Sequence, residues 1–144
     1  MSRLWALVAP DGGYVLRHCE RHPARCGHRD ECKGRKVWEL PREPRADLGE
    51  GIDPATGQFD FDRARIEAQV ISAIKAEAAR RIEAISPLWR QQNDLRAPSD
   101  AGAARFAAID AVRGWSNRME QLLARADQPG AVEFVLRGLT EDAA

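Results

Sequence analysis

The chain has 144 residues, enough for one compact domain or for a small N-terminal module followed by a helical arm. Lys and Arg number 22 and Asp and Glu 22, so the formal net charge is zero, which argues against a dedicated nucleic-acid binder. The hydrophobic share is 44%, much of it alanine, and no apolar run approaches the ~20 residues of a spanning helix, so a membrane protein is not expected.

The N-terminal run from Met1 to Ala9 is apolar but short, and Pro10, Asp11, Gly12 and Gly13 break it. It carries one positive charge and no cleavage region, so it reads as a strand and not as a signal peptide. Leu4, Ala6 and Val8 alternate with Trp5, Leu7 and Ala9, the Pro-Asp-Gly-Gly run supplies a turn, and Tyr14-Val15-Leu16 returns. Residues 2–17 are therefore expected as a β-hairpin. Lys36-Val37-Trp38-Glu39-Leu40 is expected as a third strand, ended by Pro41.

All three cysteines and all three histidines fall between these strands, from His18 to Cys32. Thiolate and imidazole are the side chains that hold zinc. Cys19, Cys26 and Cys32 with His22 or His28 supply a Cys3His set, and a closed set of four would be structural. The spacing is not that of an ordinary zinc ribbon or finger. Two other readings stand open: thiols facing a small core, or a disulfide between two of the three. A three-stranded sheet of this size is marginal alone, which gives a staple here a physical purpose.

Pro41, Pro44, Gly49, Gly51, Pro54 and Gly57 read residues 41–60 as a linker. Phe59 and Phe61 are candidates to pin it to a neighbour, and Asp60 or Asp62 is a candidate N-cap for the segment that follows. From Arg63 to about Asp94, Ile66, Val70, Ile74, Ala78, Ile82, Ile85 and Trp89 recur at steps of three and four. This predicts a long helix, kinked or broken at Ser86-Pro87 because proline removes a backbone donor. Ser99 or Asp100 can cap a second helix reaching about Ala126, with Phe106, Ile109, Val112, Met119, Leu122 and Leu123 on its apolar face.

The short connection predicts an antiparallel helical hairpin over residues 61–127. Residues 128–144 carry Val132, Phe134, Val135, Leu136 and Leu139 and read as a tail, strand or short helix, that docks on this chain or a partner. The expected class is α+β: a small antiparallel β module with a Cys/His knuckle over residues 1–40, then the long hairpin.

Arg17, Arg21, Arg25, Arg29, Lys33, Arg35 and Lys36 surround the Cys/His run, but Glu20, Asp30, Glu31 and Glu39 dilute them, so a solvated mixed-charge loop is the plainer reading. Trp89 and Trp115 read as packing or interface anchors rather than ligand platforms. No HExxH, helical ExxH, glycine-rich phosphate loop or GxSxG is present, and the chain reads as no enzyme.

The stretch from Ala76 to Asp94, with Ser86-Pro87-Leu88-Trp89-Arg90-Gln91-Gln92-Asn93-Asp94 at its end, resembles the helical hairpin of small virion proteins of tailed bacteriophages and prophages. Phe106 to Arg113 and Ser116-Asn117 belong to the same likeness, and so do the strand-like segments Leu4 to Val8 and Lys36 to Pro41. The Cys/His run departs from that pattern. The resemblance implies a tail, fibre or appendage component of a virion, assembled in the host cytoplasm, without catalysis and in contact with other virion proteins. The apolar stripe points to a homo-oligomer through Ile66, Val70, Ile74, Ile82, Ile85 and Trp89, a trimer by analogy with fibres. A small zinc-binding nucleic-acid-binding or regulatory module is the other reading.

Overall fold

A computed structural model describes residues 1–141 and bears out the α+β class: a small antiparallel β region is followed by four helices. The chain divides into two compact units, Met1–Asp62 and Arg63–Ala144.

The first unit is built on three strands, β1 (Arg3–Val8), β2 (Tyr14–Cys19) and β3 (Lys36–Leu40), in the order β2-β1-β3 with all pairings antiparallel. Alternation sorts their side chains into two faces. On one, Ala6 lies opposite Leu16 and Trp38, and Val8 opposite Tyr14. On the other, Arg3 lies opposite Cys19, Trp5 opposite Arg17, and Leu7 opposite Val15 and Val37.

Residues 41–60 are not a linker. They hold a second, two-stranded sheet, β4 (Glu50–Ile52) paired with β5 (Phe59–Phe61). Ile52 and Phe59 join Ala6, Val8, Leu40 and Trp38 in one hydrophobic cluster, so this hairpin covers the first face of the larger sheet. The turn residues that read as a linker in the sequence are what close the hairpin. Asp53 Oδ1 accepts from the Ala55 N–H (2.8 Å) and the Gly57 N–H donates to the Asp53 carbonyl (2.8 Å). Glu50 is buried, and Arg42 chelates its carboxylate at 2.7 and 3.0 Å while lying 4.3 Å above the Phe59 ring. Those hydrogen bonds, with one from the Arg45 N–H, hold the Glu50 carboxyl below its ordinary range against the opposing effect of burial.

The second unit is helical: α1 (Glu67–Ile85), α2 (Leu88–Arg96), α3 (Asp100–Ala124) and α4 (Pro129–Thr140). Asp62 directly precedes a 3-10 turn at Arg63–Arg65, and helix α1 follows with Ile66 at its own N-cap and no side-chain cap bond. The run breaks at Ser86, which precedes proline and is extended (φ −156°, ψ 109°), and α2 restarts with Pro87 at its N-cap. Ser99 caps α3, its Oγ accepting from the Gly102 N–H at 3.0 Å.

Helix α3 runs back along α1: Arg63 donates to the Ala124 carbonyl, and Arg81 lies 4.0 Å over the Trp115 ring. Asp94 and Arg105 form a two-bond ion pair (2.8 and 2.6 Å) that ties α2 to α3. The expected tail is α4, with Pro129 in its first turn as the helix rule anticipates. It packs on α3 and α1 with Val132 and Val135 fully buried.

That packing changes the reading of the apolar stripe. Ile66, Val70 and Ile74 are buried within the single chain, at 3%, 4% and 0% exposure, so these three residues of the expected oligomer seam are core. Ile82 and Ile85 are half-buried, and Trp89 is exposed. The sequence could not assign the stripe an owner, because α3 and α4 compete with a second copy for the same face.

Candidate functional site

The Cys/His segment leaves β2 and returns to β3 across the second face of the larger sheet. Trp5 and His22 meet edge to face at 5.5 Å, the Trp5 indole N–H donates to the Cys19 carbonyl (3.2 Å), and Arg17 pairs with Glu31 (2.7 Å). The path is set by short turns. A 3-10 turn at Pro23–Arg25 is capped by His22, and the His28 N–H donates to the Pro23 carbonyl (3.0 Å). The Cys32 N–H then donates to the His28 carbonyl (3.2 Å). Gly27 at φ +88° turns the chain between Cys26 and His28, a conformation glycine adopts without cost.

All three cysteines are free thiols, Cys19 buried and Cys26 and Cys32 half-buried. Burial pushes the Cys19 thiol above its ordinary range. A hydrogen bond with Cys26 and the charges of Cys26 and Cys32 add to the rise, with Arg17 opposing it. Cys26 and Cys32 thus both act on the Cys19 thiol. Cys26 also donates to the Arg21 carbonyl (3.4 Å). Among the described residues, no three Cys, His, Asp or Glu side chains stand in a ready-made metal-binding group, so a bound ion would require the thiols to close inward.

The two candidate histidines differ. His22 is exposed, and its Nδ1 accepts from the Ala24 N–H at 3.3 Å. His28 is half-buried, with Nδ1 3.2 Å from the Glu31 carboxylate. The His28 contact comes first, and the Arg17 pair after it, in holding the Glu31 carboxyl below its ordinary range. His18 lies on the other face of the sheet, opposite Leu4, 3.7 Å from Glu43. Arg17 and Glu31 read from the sequence only as part of a mixed-charge loop, and their contact with His28 is what the sequence reading missed. The spacing of three between His28 and Glu31 was the available signal.

A second feature is the surface of α2. None of its residues is buried, and Leu88, Trp89 and Leu95 are 64%, 57% and 70% exposed. Leu88 and Leu95, two turns apart, share a face, and Phe134 of α4 is 64% exposed as well. Trp115, by contrast, is half-buried beneath Arg81.

No helix among the described residues is long and apolar enough to cross a membrane. Comparison with protein-family models, with curated proteins and with solved structures found no match to the chain.

Proposed function

We propose that the chain is a non-enzymatic structural component of a tailed-bacteriophage virion, a tail, fibre or appendage part that self-associates through its helices and contacts other virion proteins. The observation that carries the assembly reading is α2. Three large apolar side chains of one nine-residue helix, Leu88, Trp89 and Leu95, lie in solvent. Such side chains are stabilised when a partner removes them from water. This exposure favours Trp89 and its α2 neighbours as the contact over Ile66, Val70 and Ile74, which the chain already buries. The virion reading rests on the resemblance of the α1–α2 and α3 sequences to phage helical hairpins.

The test of the virion reading is peptide mapping of particles purified from the phage or induced prophage that encodes the chain. Its peptides are expected in washed particles at constant ratio to other tail proteins. Their confinement to the unassembled lysate would contradict the reading.

One observation favours the nucleic-acid alternative: Arg21, Arg25, Arg29, Arg35 and Lys36 are all exposed around the Cys/His segment. Against it, Lys33 is paired with Asp30 and Arg17 with Glu31. Binding to single- or double-stranded nucleic acid that weakens steeply with salt would move the assignment to that alternative.

A further inference from the structure

We infer that Cys19, Cys26, Cys32 and His28 form a tetrahedral site for zinc or a similar divalent transition metal, with Glu31 as the residue that positions His28. This does not depend on the virion reading. Three thiols and one imidazole suit a soft, four-coordinate cation.

The choice between the two histidines follows from their hydrogen bonds. An ionised carboxylate only accepts, so the 3.2 Å contact with Glu31 makes His28 Nδ1 the donor. The neutral ring then presents a lone pair at Nε2. Metal-bound imidazoles are commonly oriented in this way, their second nitrogen donating to a carboxylate. Arg17, 2.7 Å from Glu31, fixes that carboxylate in turn. At His22 the order is reversed. Its Nδ1 accepts from the Ala24 N–H, so the neutral ring carries its proton on Nε2 and keeps no free lone pair there. His22 is occupied as the cap of the 3-10 turn and as the edge partner of Trp5.

Backbone hydrogen bonds gather three of the four ligand residues: the Cys26 and His28 N–H groups both donate to the Pro23 carbonyl, at 3.0 Å each. Cys19 lies on the same face of β2 as Arg17, two residues away, and Arg17 reaches Glu31, the partner of His28, at 2.7 Å. The Cys32 N–H to His28 carbonyl bond holds two of the ligand residues in one turn. Metal entry replaces three thiol protons, which pass to solvent, and that loss removes the hydrogen bond that the Cys26 thiol donates to the Arg21 carbonyl. Three thiolates, a neutral imidazole and a dication leave one net negative charge, beside the Arg17 guanidinium.

The test is a cobalt(II) titration of the full-length reduced protein, read by thiolate-to-cobalt charge transfer and by tetrahedral ligand-field absorption, with chelator competition for affinity. The expected result is one cobalt per chain, displaced by zinc. His28→Ala should weaken binding by at least about 100-fold, and Glu31→Gln by about 10–100-fold with a shifted ligand-field band, while His22→Ala stays within about threefold of the parent. Should His28→Ala fail to fold, as judged by near-UV circular dichroism, His28→Cys decides. Retained tetrahedral cobalt with the spectrum of a fourth thiolate supports the assignment, and no tetrahedral cobalt overturns it. An unliganded parent protein, or equal losses in His22→Ala and His28→Ala, would also overturn it.

Discussion

Single residues carry more of this structure than their chemistry advertises. Gly57 sits at φ +72°, and a Cβ there would lie 2.3 Å from the Trp38 ring. Gly57→Ala combines left-handed strain with overpacking and is expected to destabilise the first unit by at least about 2 kcal/mol. Urea unfolding followed by tryptophan fluorescence measures it, and an unchanged midpoint would contradict the packing described. Glu77 makes a pH-dependent contribution in the helical unit. Hydrogen bonds from Arg80 first and Arg81 second lower its carboxyl from 4.5 to about 2. A depressed folded value means the contribution is complete above about pH 4.5 and is lost as pH falls toward about 2. The stability difference between the parent and Glu77→Gln should therefore be present near neutrality and vanish at about pH 2. A pH-independent difference in thermal midpoint would refute this. At this scale the Cys/His cluster was legible because those residue types occur nowhere else in the chain. The roles of His22 and His28 were not, since both have the same spacing freedom and only the hydrogen bonds at Nδ1 separate them.

Elements were legible where a period ran long enough to dominate. Leu4 to Val8 and Lys36 to Leu40 show strand composition, and both are strands; the hairpin return extends to Cys19 rather than residue 17 because Cys19 pairs with Arg3. The α1 stripe and the Ser99 cap were readable in the same way. The β4–β5 hairpin was not, because its strands have three residues each and are flanked by the glycines and prolines that mark a linker. Proline at 87 told of a break but not of where α2 goes. The Asp94–Arg105 pair helps set that, since the half-buried Asp94 has its side chain 9% exposed and both carboxylate oxygens bonded. Asp94→Ala is expected to cost about 1–3 kcal/mol and to leave Arg105 without its partner. Equilibrium denaturation checks this, and a change within about 0.5 kcal/mol would show the pair to be dispensable.

The whole molecule joins a β unit to a helical unit whose best apolar stripe is spent on its own core. Ile74 is fully buried, so Ile74→Asp now tests the fold of the helical unit and not an oligomer seam. The expected result is loss of cooperative unfolding at 25 °C or a large fall in thermal midpoint. What remains for association is α2, where Leu88, Trp89 and Leu95 are exposed in the single chain. Self-association through that helix is the central claim. The direct measurement is native mass spectrometry of the full-length protein over a range of concentrations, beside the double variant Leu88→Glu with Leu95→Glu. A homo-oligomer in the parent and a folded monomer in the variant is the predicted result. A parent that stays monomeric at every concentration, or a variant that keeps the parent's subunit count, would contradict it.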